Sequence, residues 1–231
     1  MTDAALWHPS PNSGERRGGA RPDLIVLHYT AMGSAEVALA RLCDPDAGVS
    51  AHYLIGRCGT CWQMVDEAAR AWHAGSGAWG EVCDVNSRSI GIELDNDGHS
   101  PFSAPMMDAL VPLLRGIMAR WSIPPLRVIG HSDMAPGRKF DPGPRFDWRR
   151  LAREGVSVWP EDTADPDGED PGPEARLADR VDGLLREFGY ASGTAQERLG
   201  AFRDRFRPGA RGAASMADVQ IAMRLKLIAG A

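Results

Sequence analysis

The chain has 231 residues, 43% of them hydrophobic, with a net charge of −5 and a pI near 5.7. That is enough to bury one substantial core and a small second one. The acidic balance supplies no basic field for nucleic acid or anionic lipid, so a small or neutral ligand is expected. No apolar run approaches the roughly 20 residues of a membrane span. Met1 to Pro9 shows neither the basic start nor the apolar stretch of a secretory signal, which predicts a cytoplasmic protein. Cys43, Cys58, Cys61 and Cys83 are too few and too irregular for a disulfide framework, so reduced thiols are expected.

In chain order, Asp23 to Tyr29 is a continuously apolar run with β-branched residues and predicts a buried central strand. Ser34 is placed to cap a helix through Val37, Ala38 and Leu42 that Asp44-Pro45 stops. Ala51 to Ile55 and Trp62 to Val65 flank a turn-rich stretch and predict a β-hairpin. Ser89 to Leu94 predicts a third strand carrying Glu93. Ser103 caps a helix to about Arg120 that buries Leu110, Leu113, Leu114, Ile117 and Met118, with a kink expected at Pro112. Leu126 to Gly130 is then the strand that presents His131.

Residues 161–173 are acidic, rich in Pro and Gly, and read as a linker between a first domain, 1–160, and a second, 174–231. The first alternates strand and helix patterns, which predicts an α/β fold with a mixed sheet flanked by helices. The second carries helical spacing only, at Leu177/Val181/Leu184/Leu185, Leu199/Ala201/Phe202 and Val219/Ile221/Ala222/Leu225, and predicts three short helices. So small an all-α unit is expected to lean on the first domain.

Three strand-like runs each deliver one reactive side chain, His28, Glu93 and His131, and Asp141 follows ten residues after the last. Catalytic zinc takes three His or carboxylate ligands and keeps a fourth position open. His28, His131 and Asp141 supply that set, with no Cys nearby to close it. Amide hydrolysis also needs proton transfer and oxyanion stabilisation, which Glu93 and Lys139 match. His52 reads as core or support packing, and His8 and His99 as bystanders. Cys58 and Cys61 lack the second pair of a zinc knuckle. Trp62, Trp72, Trp79, Trp121 and Trp148 are mostly core, although Trp72 and Trp79 flank His73 and could stack on sugars.

Five motifs in order, His28-Tyr29-Thr30, Val49-Ser50-Ala51-His52-Tyr53, Ala71-Trp72-His73-Ala74-Gly75, Asn86 through Glu93, and His131-Ser132-Asp133 through Lys139-Phe140-Asp141-Pro142-Gly143, resemble the zinc-dependent N-acetylmuramoyl-L-alanine amidases of type 2. The resemblance spans about residues 7 to 159. It implies the fold shared with peptidoglycan recognition proteins and phage amidases, and a Zn²⁺ cofactor. It also implies cleavage between the lactyl group of N-acetylmuramic acid and L-alanine in muropeptides or peptidoglycan. Ala51 and Asp141 stand where phage-type members carry Tyr and Cys, so the chain is more similar to the bacterial recycling and envelope amidases. The same resemblance implies substrate contacts at Tyr29, His73, Ala74 and Asn86, although Asn86 reads equally well as a turn cap. More weakly, Leu185 to Tyr190 and Ala201 to Pro208 resemble helical peptidoglycan-binding domains. The activity expected is hydrolysis of anhydro-muropeptides in cell-wall recycling. Action on polymeric peptidoglycan and a non-catalytic peptidoglycan-binding module are the alternatives.

Overall fold

The computed structural model describes residues 5–160 and 174–230. In chain order the elements are β1 (Leu6–Trp7), β2 (Ser13–Gly14), β3 (Leu24–Tyr29), α1 (Ala35–Cys43), β4 (Tyr53–Ile55), β5 (Cys61–Gln63), β6 (Arg70–Ala71), α2 (Val85–Arg88) and β7 (Ser89–Leu94). They continue as α3 (Ala104–Trp121), β8 (Val128–Gly130), α4 (His131–Met134), α5 (Trp148–Arg153), α6 (Glu174–Phe188), α7 (Ala195–Phe206) and α8 (Met216–Gly230). The expected linker, 161–173, lies outside the described residues.

Six strands form one mixed sheet in the order β1-β5-β4-β7-β3-β8, and β2 pairs with β6 separately. The β4–β5 pair is the expected hairpin, while β4, β7, β3 and β8 run parallel. β7 lies between β4 and β3, so Glu93 stands on an interior strand. Because successive side chains alternate across a strand, each strand divides its residues between two faces. Ile25, Leu27, Ile90, Ile92 and Leu94 pack with Leu110, Leu114 and Ile117 of α3. On the opposite face, Leu54 packs with Ala35, Ala38 and Leu42 of α1, whereas Leu24, Val26 and Ile129 pack with Val181, Leu185 and Phe202 of the C-terminal helices. Two separate covers thus share that second face, and the polar residues of β3 and β7 emerge between them.

Local expectations are met where local chemistry decides. The Ser34 side chain accepts from Val37 N–H and Ser103 from Met106 N–H, capping α1 and α3. The helix α3 continues through Pro112, and Leu113 and Met118 sit at the edge of its core rather than inside it. The strand expected over 126–130 is shorter. Pro124 and Pro125 hold the chain in the proline φ range and a 3-10 turn takes 125–127, so pairing starts at Val128. His131 opens the helix α4. The three C-terminal helices form as expected, and they pack against Leu24, Val26, Ile129 and Met134 of the first domain.

Candidate active site

Strand register brings the reactive groups together. His28, near the end of β3, is the direct neighbour of Glu93 on β7, and both point to the face that α1 and the C-terminal helices leave open. Gly91, two residues earlier on the same face, leaves room for the His73 ring, which a Cβ there would approach to 2.5 Å. β8 delivers His131 immediately after its last residue, and Ser132 N–H donates to the Asp141 carbonyl at 2.9 Å.

His28 Nδ1, His131 Nδ1 and Asp141 Oδ2 form a buried triangle with sides of 2.9, 3.0 and 3.0 Å. The surrounding hydrogen bonds decide where the ring protons lie. Ser89 donates its hydroxyl proton to the Val85 carbonyl at 2.5 Å, so toward His73 Nε2, at 3.2 Å, it acts as acceptor. His73 therefore carries its proton on Nε2 and presents a bare Nδ1 to His28 Nε2 at 3.0 Å. That in turn puts the His28 proton on Nε2 and leaves its Nδ1 bare. On the other side, His131 Nε2 donates to the Ala74 carbonyl at 2.8 Å, which leaves its Nδ1 bare as well. Two imidazole lone pairs and a carboxylate oxygen thus converge with no protein donor between them. Burial, and then the neighbouring His131, push His28 down to about 4, so a proton does not fill the gap at neutral pH. The three ligand atoms lie close enough together to hold one cation, and two His nitrogens with one carboxylate are a donor set that suits an open zinc site.

Glu93, Lys139 and Tyr29 line the same cavity of about 450 Å³ as the three converging groups. Glu93 Oε2 is buried with no hydrogen-bond partner. Burial, and then the Asp141 charge, raise its carboxyl to about 8 against the opposing pull of Lys139. Lys139 follows a turn in which Arg138 and Lys139 both donate their N–H to the Ala135 carbonyl, so its side chain is presented from a fixed bend.

The four residues expected to face substrate divide. Tyr29 lines the cavity, half-buried. His73 also borders it, but both ring nitrogens are engaged by His28 and Ser89. Ala74 is fully buried and turns its carbonyl to His131 and Arg138. Asn86 uses Oδ1 to accept the His73 and Ala74 N–H groups at 3.0 and 2.9 Å, pinning the loop that holds both histidines. Trp79, read as core with sugar stacking as the alternative, is 3% exposed and packs edge-on against Phe188 and Tyr190. His52 is the buried support residue expected, accepting Gly91 N–H at 3.0 Å. Ser89 and the Ala74 carbonyl are the contributors that sequence reading missed, because a serine before a strand and a backbone oxygen carry no motif.

Residues 18–144 match the family described as N-acetylmuramoyl-L-alanine amidase. The chain is 41% identical over 157 residues to N-acetylmuramoyl-L-alanine amidase AmiD of Escherichia coli K12, a stretch that covers 61% of this chain and only 56% of that relative. It is 34% identical to 1,6-anhydro-N-acetylmuramyl-L-alanine amidase AmpD of Enterobacter cloacae, over 62% of this chain and 86% of AmpD. The solved complex of E. coli AmiD with anhydro-N-acetylmuramic acid-L-Ala-D-gamma-Glu-L-Lys superposes with a TM-score of 0.79 at 34% identity, covering 95% of this chain and 98% of that one. AmpDH3 of Pseudomonas aeruginosa gives 0.78 at 28% identity, covering 100% and 99%. The chain belongs to the N-acetylmuramoyl-L-alanine amidase family.

Proposed function

We propose that the chain is a zinc amidase that hydrolyses the bond between N-acetylmuramic acid and L-alanine, with soluble anhydro-muropeptides from wall recycling as substrate. The observation that carries this reading is the convergence of two bare imidazole nitrogens and a carboxylate beside an unpartnered glutamate in one cavity. Zinc held by His28, His131 and Asp141 would supply Lewis acidity, acidifying water and polarising the scissile carbonyl. Glu93 Oε2, free of protein donors, is available to take a proton from the attacking water and return it to the departing alanine nitrogen. Lys139, on the same cavity wall, offsets the negative charge that develops on the carbonyl oxygen. Tyr29 contributes a wall for the ligand, while His73 and Asn86 hold His28 and the 73–74 backbone in place.

Mass spectrometry of anhydro-muropeptide digests tests the proposal. Free stem peptide is expected with zinc and none after chelation. Release that survives chelation, or none with zinc present, overturns it. Action on polymeric wall is the second reading, supported by the C-terminal helices, which accompany the amidase core in AmiD and AmpDH3 alike. Faster release from intact sacculi than from soluble muropeptide would favour it, and binding without turnover would favour a non-catalytic module.

Among the described residues no helix is long and apolar enough to cross a membrane, and all four cysteines are free thiols. The free thiols support a reducing, cytoplasmic setting for the reaction. Cell fractionation against a periplasmic marker tests this, and recovery with that marker moves the reaction to the wall side.

A further inference from the structure

Asp133, one turn into α4, has a fully buried carboxylate with three donors. Gly130 N–H, from the residue before His131, reaches Oδ2 at 2.8 Å. The other two come from the C-terminal helices. Tyr190, just past α6, donates its hydroxyl to Oδ1 at 2.7 Å, and Arg205 of α7 donates NH1 to Oδ2 at 2.6 Å. The Arg205–Asp133 pair is almost sealed from water, with side chains 2% and 1% exposed. Arg205 also donates to the Val128 carbonyl at 3.1 Å and lies over the Trp148 ring at 4.1 Å, so one guanidinium ties the strand before His131 to the helix that begins with it.

The same helices also hold the neighbouring 79–80 loop. Gly80 N–H donates to the Gly189 carbonyl at 2.8 Å, and a Cβ at Gly189 would come within 2.6 Å of the Trp79 ring. Beyond α4, a Cβ at Gly137 would overlap the Glu197 carboxylate of α7. The stretch from His131 to Lys139, which carries one converging ligand and the cavity's lysine, is therefore braced by the C-terminal helices at Asp133 and again at Gly137.

From this geometry we infer that Tyr190 and Arg205 are positioning residues for the metal centre: through Asp133 they fix the direction of His131, so the C-terminal helices are part of the metal site's support and not only an appended module. The inference rests on the zinc reading of His28, His131 and Asp141. Groups that orient metal ligands typically change affinity by about 10- to 100-fold when removed. The two residues act through Asp133 and touch neither ligand nor substrate.

Zinc transfer from the loaded full-length protein to a coloured chelator tests it, with circular dichroism to confirm folding. Arg205→Met is expected to speed zinc release about 10-fold or more, and Tyr190→Phe, which deletes one hydroxyl, by a smaller factor. Phe188→Leu is the control, because Phe188 packs on Trp79 and Phe206 in the same interdomain core without touching Asp133. It should lower the melting temperature and leave zinc release at the wild-type rate. If Arg205→Met fails to fold, Tyr190→Phe decides alone. Wild-type release rates in the folded Asp133-contacting variants, or equal acceleration in the control, overturn the inference while the zinc reading stands. A wild-type chain that takes up no zinc sinks the zinc reading and this inference together.

Discussion

Glu67 and Glu93 are both glutamates of the first domain with carboxylates held away from water, and they have opposite fates. Glu67 accepts from Tyr53 Oη at 2.7 Å, from Arg120 Nε and NH2 at 2.9 and 2.6 Å, and from Trp121 Nε1 at 2.6 Å. Burial alone would raise its carboxyl, but the bonds from Arg120, Trp121 and Tyr53 bring it below the usual range. Glu93 has no donor on Oε2 and is raised to about 8. Residue type is alike, but Glu93 is desolvated more deeply and faces the Asp141 charge without a donor on Oε2, whereas four donated hydrogen bonds and the Arg120 charge hold Glu67 ionised. A saturated carboxylate ties β4 to α3, and an unsaturated one is left available for proton transfer.

The comparison breaks if exchanging the two roles has no asymmetric cost. The largest effect is expected from Glu93→Gln, which should lower turnover by about 10²- to 10⁴-fold with zinc content unchanged. Steady-state kinetics on a defined muropeptide with metal analysis checks this, and a loss below tenfold removes Glu93 from the proton path. Glu67→Ala should do the reverse. It leaves Tyr53, Arg120 and Trp121 without their acceptor and should lower unfolding stability by ~2–3 kcal/mol, discounted because Arg120 is half exposed. Activity per folded molecule should hold, as urea unfolding and active-site titration would report.

A third test sharpens the account of the triangle itself. His73→Phe removes the acceptor that keeps the His28 proton on Nε2, and should weaken zinc about 10- to 100-fold in a chelator competition. Unchanged affinity would mean that His28 is oriented by packing alone. The most gradual effect, at most about 1.4 kcal/mol per pH unit for each group, is in the stability of the metal-free protein. His28 is lowered from 6.5 to about 4 and His52 to about 3, so their neutral forms favour folding above pH 6.5, and that contribution is lost as pH falls through those values. Glu93 has the opposite sign: raised from 4.5 to about 8, it contributes stability below 4.5 that is lost as pH rises through 8. Urea midpoints across pH for chelated wild type and Glu93→Gln should therefore differ on the alkaline side and agree in their acid decline.

Much of this architecture was legible before any coordinates. Continuous apolar runs marked β3 and β7, Ser34 and Ser103 marked helix starts, and two separated motifs supplied His28, His131 and Asp141, which the fold brings into a single triangle. These signals are local, since periodicity and capping depend on residues within one or two turns. Less legible were the roles around the triangle. Ala74 turns its carbonyl to the His131 ring, Asn86, read as either a ligand contact or a turn cap, holds the 73–74 backbone, and Trp79, read as mostly core, belongs to the core shared with the C-terminal helices.

Apolar patterning and the order of the motifs pointed to the fold class, the strands that end in reactive groups and the three residues that converge. Only the tertiary structure decided which nitrogen of each histidine is bare, which glutamate lacks donors, and that helices following residue 173 brace the start of α4. Protonation and hydrogen-bond saturation depend on partners that meet only in the folded chain, 16 residues apart for Ser89 and His73 and 72 for Asp133 and Arg205.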